Sequence, residues 1–133
     1  MNVLIVEDDA GSAELLELLM RSCGHTAVRA DTGKAALTAL RKIPFHLMLL
    51  DIFLPDAAGY ELLPLIRNLQ PDIQVIAMTG RNSRELERKV RSYGVLAYMS
   101  KPIETRDIRA IVHHISQKHN WEKEEDYEKA QRR

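Results

Sequence analysis

Short runs of continuous apolar residues alternate along the chain with longer stretches whose apolar residues recur every three or four positions. The short runs predict strands over residues 3–6, 25–30, 47–50, 74–78 and 97–100. Three of them (VLIV, LMLL, VIAM) are apolar throughout, the pattern of parallel strands covered on both faces. By contrast HTAVRA alternates, which suits a strand nearer the sheet edge. Helical spacing is carried by Leu15, Leu16 and Leu19; by Ala36, Leu37 and Leu40; by Leu62, Leu63, Ile66 and Leu69; by Leu86, Val90 and Tyr93; and by Ile108, Ile111, Val112 and Ile115. Ser12, Thr32 and Asn82 stand where N-caps are expected, with Glu85 three residues after Asn82 as in a capping box. Gly24 and Gly94 fall just past the first and fourth helices, where a left-handed residue is common. A strand-helix alternation repeated five times, without internal sequence repeat, predicts an α/β fold: a doubly wound (βα)5 unit.

Composition narrows the class. With 133 residues, 45% of them hydrophobic, the chain has the size of one domain and needs no disulfide to fold. Its lone cysteine, Cys23, forms no disulfide within the chain. Nineteen basic residues balance nineteen acidic ones, which argues against direct nucleic-acid binding through general electrostatics. No apolar run approaches the ~20 residues of a membrane span, and residues 1–9 carry no signal-peptide pattern. A cytoplasmic protein without membrane contact is expected. From Asn120 onward most residues are charged, so residues 120–133 read as a charged tail, helix extension or linker, with pairs such as Glu125 and Lys129 at i,i+4 spacing.

In an open α/β sheet the ligand site lies beyond the carboxyl ends of the strands. There the chain places Glu7, Asp8 and Asp9 after the first strand, Asp51 after the third, Thr79 after the fourth and Lys101 after the fifth. Carboxylates converging on one site repel, by about 4 kcal/mol for a pair about 4 Å apart at an effective dielectric near 20. A hard divalent cation offsets this: Mg²⁺ takes one or two carboxylates plus water and commonly meets a phosphate. Asp9 alone reads better as an ordinary helix N-terminal charge. Asp51 does not, because it closes an apolar strand. The first loop, Glu-Asp-Asp-Ala-Gly, lacks the glycine-rich turn of a dinucleotide site, and no GxxxxGK[ST] motif is present.

The residues at these strand ends resemble those of the receiver domains of two-component response regulators. The resemblance rests on V-E-D-D after the first strand, L-L-D-I-F-L-P-D-A-A-G-Y-E-L-L around Asp51, M-T-G at the fourth strand and G-V-L-A-Y-M-S-K-P-I at the fifth, and it spans residues 1–119. It implies a CheY-like, flavodoxin-like sandwich with a parallel sheet of order 2-1-3-4-5 flanked by five helices. It further implies that Asp51 is the phosphoacceptor for a sensor histidine kinase or histidine phosphotransfer protein. Asp8 and Asp51 would bind Mg²⁺ (or Mn²⁺) directly, Glu7 through water, and Phe53 through its backbone carbonyl. Lys101 would pair with Asp51 and then with a phosphoryl oxygen, Thr79 would bond the phosphoryl group, Tyr98 would be the aromatic switch, and Lys101-Pro102 would be cis. Phe53 and Arg81 would flank the phosphoryl group and limit attacking water, implying a long-lived acyl phosphate. The output would be a changed face of the fourth helix, fifth strand and fifth helix, read by a downstream effector protein, a lost output domain or a homodimer.

Each residue also has a plainer reading. Thr79 and Tyr98 taken singly could be strand residues, Lys101 a surface charge, and His113 and His114 solvated helix residues. Two other functions use the same fold. A Mg²⁺-dependent aspartyl-phosphate phosphohydrolase would carry a second Asp two residues after the nucleophile, where this chain has Phe53. A constitutive docking module would have no need of the set Glu7, Asp8, Asp51, Thr79 and Lys101. The expectation is therefore a signalling domain that catalyses only its own phosphorylation and dephosphorylation.

Overall fold

The computed structural model describes Met1 to Arg132; Arg133, the last residue of the predicted tail, lies outside the described residues. Strands and helices alternate as β1 (Asn2–Val6), α1 (Ala10–Ser22), β2 (Thr26–Ala30), α2 (Gly33–Lys42), β3 (Leu47–Asp51), α3 (Gly59–Leu69), β4 (Gln74–Thr79), α4 (Arg84–Arg91), β5 (Ala97–Ser100) and α5 (Thr105–Gln131). The strands form one parallel sheet in the order β2-β1-β3-β4-β5. The expected α/β class and strand order are thus the observed ones.

Where boundaries shift, local hydrogen bonding explains it. β2 begins at Thr26 rather than at position 25, because the His25 amide donates to the Met20 carbonyl and belongs to the turn closing α1. Gly24 takes φ +85° in that turn and Gly94 takes +76° after α4, a region in which a side chain is strained. Two caps differ from expectation. Asp9, not Ser12, caps α1, its carboxylate accepting from the Ser12 amide at 2.9 Å. Ser83, not Asn82, caps α4 by accepting from the Leu86 amide, while the Asn82 side chain bonds Ser100 Oγ. Both segments hold two capping-type residues, and the helix starts from the one whose oxygen reaches the amide three residues on. Thr32 caps α2 as expected. Tyr93 lies just past the end of α4.

The chain divides into two compact units. In the first, Met1–Ile103, alternation along the strands sends Leu4, Val6, Met48, Leu50, Val75 and Ala77 to one face. There they join Ala36 and Leu40 of α2, Leu62, Leu63 and Ile66 of α3, and Val90 of α4 in one buried cluster. Val3, Ile5, Leu47, Leu49, Ile76 and Met78, the alternate positions, are also fully buried. This two-sided burial explains the continuous apolar runs. In the second unit, α5 carries a buried stripe of Ile108, Val112 and Ile115 and then continues unbroken to Gln131 through mostly exposed residues. Among the described residues no helix is long and apolar enough to cross a membrane.

Candidate functional site

Parallel register makes the site. Val6 stands opposite Leu50, Asp51 opposite Met78 and Thr79 opposite Ser100, so the residues ending or following β1, β3, β4 and β5 fall in a row at one edge. The loop after β3 is tight: a Cβ on Gly59 would stand 2.7 Å from Ile52 Cα and 3.2 Å from the Asp51 carbonyl oxygen. Only glycine lets α3 start that close behind Asp51, and this holds the loop carrying Phe53 over the strand end.

At the row's centre, Lys101 Nζ donates to both oxygens of Glu7, at 2.7 and 2.9 Å, and to Asp51 Oδ2 at 3.0 Å. Asp51 Oδ1 accepts from the Phe53 amide at 3.0 Å. Glu7 and Asp51 are buried and Asp8 is exposed, yet each offers an oxygen within 4.8 Å of the others. Burial, reinforced by Asp51 and opposed by Lys101, pushes the Glu7 carboxyl up to about 7. Burial alone would lower the Lys101 ammonium, but its bonds to Glu7 and Asp51 outweigh that and raise it. Three carboxylates against one ammonium leave an excess of negative charge held on oxygen donors, which is the donor set a hard divalent cation requires.

Around this centre the remaining candidates take defined positions. Thr79 is fully buried, and its hydroxyl donates to the Arg81 carbonyl and accepts from the Arg81 amide. Phe53, 39% exposed, lies under the Arg81 guanidinium, 5.6 Å from its ring centroid. The Tyr98 ring is half-buried in the core cluster. Burial and Glu87 raise its hydroxyl pKa against the opposing pull of Arg91. The Lys101-Pro102 peptide is cis. Asp9 is taken up by its capping role. His113 and His114 are exposed on α5, with His113 Nε2 next to the Gln117 amide. The sharing of Lys101 between Glu7 and Asp51, and the Arg81-Phe53 stack, are interactions that sequence reasoning did not specify.

The family model of the response regulator receiver domain matches residues 3–113. The chain belongs to this family. Among its relatives, the cell cycle transcriptional regulator CtrA of Caulobacter vibrioides is 30% identical over 117 residues, covering 86% of this chain and 50% of CtrA. The transcriptional regulatory protein ZraR of Escherichia coli is 30% identical over 112 residues, covering 84% of this chain and 25% of ZraR. The chain therefore spans half the length of one relative and a quarter of the other. A CheY-like receiver domain protein from Methanospirillum hungatei superposes with a TM-score of 0.82 at 30% identity, covering 90% of this chain and 96% of that one. The protein is a receiver domain of the two-component response regulators, a signalling class.

Proposed function

We propose that this receiver domain is a phosphorylation-dependent switch with Asp51 as its phosphoacceptor. The observation that carries this reading is one ammonium, Lys101, shared by two buried carboxylates, Glu7 and Asp51, beside the exposed Asp8. An Asp51 oxygen attacks the phosphorus of a phosphohistidine on a sensor histidine kinase or histidine phosphotransfer protein. A P–O bond forms, the P–N bond breaks, and its electron pair leaves on the histidine ring. Lys101 lies against Asp51 before transfer and serves a phosphoryl oxygen after it. Asp8 and Asp51 would hold Mg²⁺ (or Mn²⁺) directly, Glu7 through water, and Phe53 through its carbonyl. When bound, the cation neutralises phosphoryl charge and brings the two anions together.

The response follows from what the other residues must give up. The Thr79 hydroxyl leaves the Arg81 backbone to donate to a phosphoryl oxygen, and the space it vacates admits a turn of the Tyr98 ring. The changed surface of α4 and β5 then controls docking of an effector protein, an attached output domain or a second copy. We assign the receiver domain to residues 1–119 and a charged C-terminal tail, helix extension or linker to 120–133, and place its action in the cytoplasm, without direct nucleic-acid or membrane contact. Its chemistry is confined to its own phosphorylation and dephosphorylation.

Intact-mass spectrometry after incubation with acetyl phosphate and Mg²⁺, on wild type and Asp51→Asn in parallel, tests this. A gain of one phosphoryl group by the wild type alone, blocked by a chelator, is expected. Uptake retained by Asp51→Asn, or a wild type that responds neither to acetyl phosphate nor to beryllofluoride, overturns the assignment.

A further inference from the structure

Among the described residues the Tyr98 hydroxyl is the one buried side-chain polar atom without a hydrogen-bond partner. A phenol oxygen taken out of water in this way is destabilised by about as much as a lost hydrogen bond. Its ring must be held by something else. Packing in the core cluster contributes, and so does a cation: the Arg91 guanidinium stands over the ring, 5.9 Å from its centroid. Arg91 is itself held. Glu87, one turn earlier on α4, accepts from its Nε at 3.2 Å and pairs with its Nη2 at 3.1 Å, both through Oε1. Acid before base at i,i+4 is the favourable orientation for such a pair on a helix.

The ring position is therefore a balance between an unpaired hydroxyl, which favours leaving, and packing plus a positioned cation, which favour staying. We propose that the Glu87-Arg91 pair is a latch that holds the Tyr98 ring in its half-buried position and so sets the resting bias of the switch. The inference rests on the reading of Tyr98 as the switch residue and adds to it the element that regulates it. Arg91 is a positioning residue: it acts through Tyr98. Its side chain is 52% exposed, so its replacement leaves the core cluster intact. A cation-ring contact with this exposure biases a two-state equilibrium by about threefold.

A single fluorotyrosine at position 98, followed by fluorine NMR with and without beryllofluoride, reads the ring directly. In Arg91→Ala the population of the beryllofluoride-type resonance in the free protein rises about threefold, and half-conversion needs less beryllofluoride by the same factor. Arg91→Lys restores part of the wild-type behaviour, and Glu87→Gln falls between. Arg88→Ala, which removes another cation from the last turn of α4, leaves the resonance where it is. An Arg91→Ala protein with wild-type melting temperature and an unmoved free-form resonance overturns the latch, as does an Arg88→Ala effect of equal size. A wild-type resonance that beryllofluoride leaves in place overturns the switch reading instead, and the free-form comparison of Arg91→Ala with wild type still decides the latch.

Discussion

The two ends of the sheet handle polar groups in opposite ways. At the amino ends of the strands, polar side chains are bound to the backbone. His46 Nδ1 accepts from the Asn2 amide, and Gln70 accepts from the Phe45 amide while donating to the Leu40 and Ile43 carbonyls. Arg67 donates to the carbonyls of Ile73 and Gly94. At the carboxyl ends, Glu7 and Asp51 share a single ammonium beside Asp8, and on β5 the Tyr98 hydroxyl has no hydrogen-bond partner. Groups matched to fixed backbone donors and acceptors hold the fold in one state. Carboxylates that share one ammonium and a single backbone amide, that of Phe53, leave charge that a cation or a phosphoryl group can complete.

Substitutions should therefore separate by edge. The largest effect is expected for Lys101→Met, which should slow phosphoryl uptake by about a hundredfold, near 2.7 kcal/mol, by removing the charge aimed at the transferred group. An intact-mass time course measures it, and uptake at the wild-type rate would break the assignment of Lys101. Gln70→Ala should do the reverse. It strands three backbone partners and should lower unfolding free energy by about 2 kcal/mol in urea titration, with the uptake rate of the folded protein unchanged. A slowed uptake there would erase the contrast between the two edges.

Smaller effects sharpen the carboxyl edge. Phe53→Asn combined with Arg81→Glu removes the ring and the cation stacked on it, so autodephosphorylation should accelerate roughly tenfold, equal to about 1.4 kcal/mol of barrier. A double variant that decays no faster shows that this stack does not exclude water. Glu7→Gln relieves carboxylate crowding and should stabilise the metal-free protein by about 1 kcal/mol at neutral pH while weakening its cation affinity. Urea midpoints and a Mg²⁺ titration read the two halves of that expectation separately. Loss of stability with unchanged cation binding would make Glu7 a structural acid like those capping helices.

How much of this was legible in the chain follows the same division. The strands and the row of Glu7, Asp8, Asp51, Thr79 and Lys101 could be read because two-sided burial leaves apolar runs and parallel register aligns their ends. Cap assignment slipped at Asp9 and Ser83, since D-x-x-S and N-S each offer two competent oxygens and only the backbone path chooses between them. The charged stretch after Asn120 could be tail or helix by composition, and α5 runs through it to Gln131. The Lys101 bridge, the Gln70 bonds and the Glu87-Arg91-Tyr98 contact each require rotamers and spacings that no local pattern encodes.

Asp56 tests the contrast where it is least obvious. It lies in the loop after Asp51, at the functional edge, yet its carboxylate accepts from the Gly33 and Lys34 amides at 2.8 and 3.0 Å, as a structural residue would. Those two bonds hold its carboxyl below the ordinary value of 3.8. Because the folded value lies below the unfolded one, its contribution to stability is fully present at higher pH and fades as pH falls through the folded value. The urea midpoint of wild type should exceed that of Asp56→Asn by a small, constant margin above about pH 5. In wild type the Gly33 and Lys34 amide resonances should shift together on acidification, as the carboxylate they both face is protonated. Beryllofluoride and Mg²⁺ should act as strongly on Asp56→Asn as on wild type. A changed cation response with an unchanged urea midpoint would move Asp56 from the holding set to the switching set, and position along the sheet would then count for more than the partner a carboxylate faces.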